Sequence, residues 1–202
     1  MLELLIVIAV LAIVAAMAIP TWQRIQKNAR LNGDGHNMAE SLSVAKMRAA
    51  ANFTESRVFF FTGTGATQYF RIDVWNQTHG CWVPDGKSNP VSGDCITTSG
   101  ITNNEMFLSS GVSAGFSSAT TAPDSSTTAQ ASGCKQGGSG PTTGGSNIAN
   151  TSCIQFNSRG FPIAAAGFYI TDSTRVYGIT TNAVGLIHSY VSPASGSSWK
   201  AY

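Results

Sequence analysis

The sequence predicts an α+β chain. One long hydrophobic N-terminal helix packs on an antiparallel β-sheet domain that carries a long Ser/Thr/Gly-rich loop region. Three observations predict it: an unbroken apolar run at the N-terminus, helical spacing of apolar residues directly after it, and short alternating runs between turn residues from Arg57 onward. Residues 1–20 read as a membrane or filament-core segment, 21–53 as the continuation of the helix, and 54–202 as a β-rich globular domain.

The run from Leu4 to Ile19, LLIVIAVLAIVAAMAI, has no polar residue, and Glu3 is the one charge among the first nineteen positions. As a helix those positions extend about 28 Å, close to the hydrocarbon thickness of a bilayer. Three readings compete. A cleaved secretory signal finds support in the small-x-small step Ala16-Met17-Ala18. Against it, no basic residue precedes the run, and Glu3 has the wrong charge for that place. The second reading is an ordinary membrane anchor. The third is a segment that sits first in a membrane and later in a protein assembly. A carboxylate within an apolar segment costs a few kcal/mol and implies a partner or function, unless it lies at headgroup level.

Past Pro20, Leu31, Met38, Leu42, Ala45 and Ala49 recur at near-heptad intervals, the stripe of a helix packing against a sheet. Two weak points are expected. Pro20 removes a backbone donor and disfavours helix at Ile19. Asn32-Gly33-Asp34-Gly35 places two glycines in the helix interior, at about 1 kcal/mol each relative to Ala, which predicts a kink or local loosening. The strand signals then follow in order: Val58–Phe61; Phe70, Ile72 and Val74 alternating with Arg71 and Asp73, a half-buried pattern; Ile154–Phe156; Phe168–Ile170; Val176–Ile179; and Val184–Val191. From Ser109 to Ser152, 18 of 44 residues are Ser or Thr, a long loop open to O-glycosylation.

Composition bounds the function. Of 202 residues, 43% are hydrophobic, which excludes a disordered chain, and only 11% are charged, against about 25% in a typical soluble domain. The net charge of +2 argues against nucleic-acid binding by bulk positive charge. Cys81, Cys95, Cys134 and Cys153 form no C-x-x-C and fit disulfides of an oxidising compartment. Four cysteines allow three pairings. Proximity and the turn residues between partners favour Cys81–Cys95 and Cys134–Cys153.

The string Glu3-Leu4-Leu5-Ile6-Val7-Ile8-Ala9, with its apolar run ending Ala18-Ile19-Pro20, resembles the N-terminus of type IV pilins and pseudopilins. The C-terminal spacing, from Cys153-Ile-Gln-Phe-Asn-Ser-Arg-Gly160 through Val184-Gly-Leu-Ile-His188, is similar to the globular domain of H-type minor pseudopilins and FimT-like minor pilins. The resemblance implies a structural subunit, the main one of a type IV pilus or pilus-like extracellular filament. A minor pilin or pseudopilin for priming, type II secretion or DNA uptake is the alternative. Its implied partners are identical subunits in a helical filament, the inner membrane before assembly, a prepilin peptidase and the pilus assembly machinery. It also implies an inner-membrane precursor that becomes an extracellular filament, and N-methylation of the terminal amine. Glu3 and Pro20 are the assembly residues. No Lys or Arg lies within the first twenty positions, so the terminal amine of a neighbouring subunit is the cation expected to pair with Glu3. Helical structure is expected to loosen around Ala15 to Pro20 in the filament.

Catalytic and cofactor signals are weak, and the expectation is no enzyme, no cofactor and no metal. Gly111-Val-Ser113-Ala-Gly115 matches a nucleophile elbow, with Asp172 and His188 following in hydrolase order, but it lies in a Ser/Gly-rich stretch where such matches arise freely. Gly86-Lys87-Ser88 has the wrong spacing for a P-loop. His36, His79 and His188 share no ligand spacing, and the four tryptophans are too dispersed for a stacking groove. The FimT-like DNA-binding motif is basic, whereas Gly185-Leu-Ile-His-Ser has no arginine, so no nucleic-acid partner is expected.

Overall fold

The computed structural model describes residues 2–63, 68–87, 90–100, 104–119, 122–123, 130–138, 140–141, 144–196 and 198–202, with the side chains of residues 2–5 and Pro20 left outside. One helix, α1 (Leu2–Asn52), is followed by β1 (Ser56–Phe61), β2 (Tyr69–Asn76), β3 (Cys81–Pro84), β4 (Met106–Phe107), β5 (Ser113–Ala114), β6 (Thr151–Phe156), β7 (Ala166–Thr171), β8 (Arg175–Thr181), β9 (Ile187–Pro193) and β10 (Lys200–Ala201). This is the α+β arrangement expected. All pairings are antiparallel. The first sheet runs β3-β2-β1-β6, with β4 on the far stretch of the β2 edge; the second runs β10-β9-β8-β7-β5.

The second half of α1 lies against both sheets. Leu31, Met38, Leu42, Ala45 and Ala49, the stripe expected to face a sheet, are completely buried with Val58, Phe60, Phe156, Phe168 and Ile179. Between the sheets, Ala131 N–H donates to Gly167 O (2.8 Å) on β7, and Cys153 N–H on β6 donates to Ser132 O (2.8 Å). The two sheets thereby wrap the helix as one curved wall, bridged where β6 and β7 would otherwise leave free edges.

Two local expectations are corrected. The backbone of α1 stays helical through Ile19 and Pro20 and through positions 33 to 35, the two places where weakening was expected. The glycine there serves close approach. A Cβ on Gly35 would stand 2.6 Å from the Tyr177 ring, so only hydrogen lets β8 press against the helix. Asp34 is held too: its carboxylate accepts from Ser109 N (2.8 Å) and Ser109 Oγ (2.9 Å), pinning the start of the Ser/Thr-rich stretch to the helix. The second correction concerns β2. Its charged face is buried, because segments carrying Ile96, Gly100, Glu105, Cys134, Lys135 and Ile148 close over it. The structure also adds β3, β4, β5 and β10, and starts the last long strand at Ile187 rather than Val184.

Candidate functional site

Every described side chain from Ile6 to Lys27 is exposed. Leu11, Val14, Met17, Trp22 and Ile25 are 55–72% accessible along this stem. Burying one such side chain is worth about 1.5–3 kcal/mol, so the stem as a whole leaves on the order of 20 kcal/mol of apolar burial unmade. α1 is long and apolar enough over this stretch to cross a membrane. Arg24, Lys27 and Arg30 close the stem on its body side. Arg30 donates to Ser110 O at 3.3 Å, and Leu31 is the first fully buried residue among the described side chains. The stem is therefore an apolar surface that the chain's own fold does not use. Glu3 and Pro20 lie on the α1 backbone, but their side chains, and all of Met1, lie outside the described residues.

The body is built the other way. On the outer face of the first sheet, Asp73 receives Arg57 Nε at Oδ2 (2.8 Å) and Arg71 Nε at Oδ1 (3.0 Å), and Arg71 Nη1 reaches Glu105 Oε1 (3.0 Å). All four side chains are at most 2% exposed. Burial pushes the Arg57 guanidinium down and the Asp73 charge pulls it back up, with a net lowering. The cations also lie over aromatic rings, Arg57 at 4.4 Å from the Trp82 centroid and Arg71 at 4.3 Å from Phe59. Arg57 Nη1 donates to Lys135 O (2.6 Å) and Arg71 Nη1 to Gly100 O (3.1 Å), so the covering loops are tied by charge-assisted bonds.

Two disulfides staple the same cover. Cys81 on β3 is bonded to Cys95 at a Cα separation of 5.5 Å, and Cys134 to Cys153 on β6 at 5.1 Å. These are the two pairings favoured from the sequence. The cover over the charged face thus hangs from the strands at both edges of the sheet.

The remaining sequence matches do not converge. Ser113 is on β5 and His188 on β9, three strand spacings (about 14 Å) apart across the sheet and offset further along it, because Ser113 lies in line with Ser192. Asp172 instead binds its own turn. Burial works against it, yet hydrogen bonds from Thr174 and Arg175 hold its carboxyl below the usual range. Lys87 pairs with Asp94 at the surface (2.9 Å), and Ser88 lies outside the described residues. His79 faces Pro90 O, His36 sits edge-on to Tyr177 and Tyr202, and His188 is beside Tyr190. Trp75 and Trp82, dispersed in sequence, meet as register partners with centroids 5.4 Å apart, but both are buried and offer no stacking face. Among the described residues no three His, Cys, Asp or Glu side chains gather as a metal requires.

The buried ion layer escaped the sequence reading. One signal was present: strand alternation puts Arg57 on the face of Phe59, and Arg71 and Asp73 on the face of Tyr69 and Trp75. Large aromatics on a charged face mean that something covers it.

Comparison of the chain with family models, with curated proteins and with solved structures gave no match.

Proposed function

We propose that this chain is the structural subunit of a type IV pilus or pilus-like extracellular filament, held in the inner membrane before assembly and packed through its α1 stem afterwards. One observation carries the reading. The apolar half of α1 is uncovered, while the other half of the same helix is the core of a stapled β body. A surface of that size needs a bilayer or other copies of itself, and a rigid helix carries the body outward as stems bundle. The disulfide-tied cover suits a subunit exposed to an oxidising exterior. In this reading Glu3 pairs with the N-terminal amine of a neighbouring subunit, since an unpaired carboxylate in a low-dielectric bundle is expensive and an opposite charge recovers much of the cost. Pro20 leaves the carbonyl of Ala16 without its helical donor, and adjacent stems rather than lipid would cover the freed backbone.

Mass spectrometry of filaments sheared from cells tests the proposal. The chain is expected as the main band. As a trace component it is a minor subunit, and its absence from filaments rejects assembly altogether. Glu3→Val, expressed as the only copy, is expected to keep membrane insertion and lose filament yield.

A further inference from the structure

A cavity of about 190 Å³ opens beside the Cys134–Cys153 disulfide, between β6 and the bridge that joins the two sheets. Its charged lining residues are Arg57 and Lys135, and among the described residues neither Asp nor Glu lines it. Arg57 is almost fully buried, and its guanidinium is used on two sides: Nε by Asp73 and Nη1 by the Lys135 carbonyl. The third nitrogen, Nη2, is buried and has no acceptor among the described residues, and neither has Nε2 of Gln155. The two residues are direct register partners across β1 and β6. Their Cβ atoms are therefore about 4.5–5.5 Å apart on one face of the sheet, close enough for one small group to meet both.

A buried guanidinium N–H with nothing to donate to is costly, and two such donors side by side call for an acceptor. Asp73 already balances Arg57 from behind, and Lys135 adds an exposed cation at the cavity. Ile163, Ala164 and the disulfide itself supply the apolar part of the walls. We propose that this cavity is a binding site for a small oxyanion, a carboxylate or sulfate group, received by Arg57 Nη2 and Gln155 Nε2 with Lys135 attracting it from the rim. Two neighbouring donors suit the two oxygens of a carboxylate. The site does not depend on filament assembly and stands or falls apart from the proposed function.

The stacking of Arg57 over Trp82 supplies a local reporter. The full-length chain in detergent is titrated with sodium acetate, sodium glucuronate, sodium sulfate and, as ionic-strength and neutral-sugar controls, sodium chloride and glucose, following tryptophan emission. A saturable change at millimolar concentration is expected with at least one oxyanion and with neither control. Acetate and glucuronate responding without sulfate assigns the site to carboxylates; sulfate alone assigns it to sulfate groups. Gln155→Leu is expected to weaken binding about tenfold, as the loss of one donor to a charged acceptor predicts, and Lys135→Gln to weaken it less. Neither change touches the Asp73 pair, and unchanged thermal unfolding of both variants shows that the fold is kept. Two results overturn the site: no saturable response to any oxyanion, as when the Gln155 carbonyl turns to satisfy Arg57 itself, or a response that Gln155→Leu leaves intact.

Discussion

Along the stem, Leu11, Val14 and Met17 stand in the open, while Arg57, Arg71, Asp73 and Glu105 of the body are sealed from water. The ordinary distribution of apolar and charged groups is reversed in both regions, for different reasons. The stem has no partner within its own chain, so its apolar surface waits for one. The body's charges have partners in plenty: each arginine meets a carboxylate, a backbone carbonyl and an aromatic ring. What decides burial is whether a group's interactions can be completed inside, not its polarity alone. The stem is incomplete in a single chain, whereas the ion layer is closed within one except at Arg57 Nη2, which has no acceptor among the described residues.

The largest expected effect comes from breaking the completed side. Asp73→Ala leaves two buried guanidinium groups without their shared carboxylate and is expected to cost about 3–5 kcal/mol, read as a lowered denaturation midpoint of the full chain in detergent. If the variant unfolds as wild type does, the ion layer is not sealed. Reduction of the disulfides comes next. Opening Cys134–Cys153 alone, by replacing both cysteines with Ala, is expected to cost about 3 kcal/mol in the chain-entropy model and to raise proteolysis within residues 130–150. Unchanged stability and protease resistance would mean that hydrogen bonds alone hold the cover.

A pair of glycines sharpens the comparison within α1. Gly35→Ala drives a Cβ into the Tyr177 ring and is expected to cost about 1–3 kcal/mol. Gly33→Ala faces open space and is expected to stabilise by about 0.4–1 kcal/mol. Thermal unfolding of both variants checks the sign difference; a loss in both would restore the view of this stretch as a helix break.

The smallest effect is on pH. The folded Asp172 carboxyl lies below its unfolded value, so its contribution is present above the unfolded pKa, near 3.9, and is lost as pH falls through the folded value. Asp172→Asn is expected to flatten the acid limb of the stability profile below about pH 4 and to leave its slope at pH 7 unchanged. Profiles that coincide would mean that the turn does not hold the charge.

Much of this was legible from the sequence. The apolar run, the stripe from Leu31 to Ala49, the short apolar runs of β1 and β6–β8 and the alternation of β2 all report local pattern, and local pattern survives into the fold. The limits have one physical cause. Alternation along β2 shows that its two faces differ, but not that the face with Arg71 and Asp73 is dry. That depends on Glu105, Gly100 and Lys135, which come from distant, irregular loops. Gly35 was read as a weak point because helix propensity is local, whereas its reason, Tyr177, comes from β8. At four residues, β3 was too short to show a period. For the stem, the apolar run was plain, and the expectation for Glu3 rests on chemistry and resemblance together.

The central claim is that the uncovered stem is completed by copies of itself. Electron cryomicroscopy of sheared filaments tests it most directly. The expected map shows α1 stems of identical subunits bundled at the filament centre, the β bodies outside, and irregular backbone between Ala15 and Pro20. A filament in which these stems lie on the outer surface, or that is built from another protein, would contradict it.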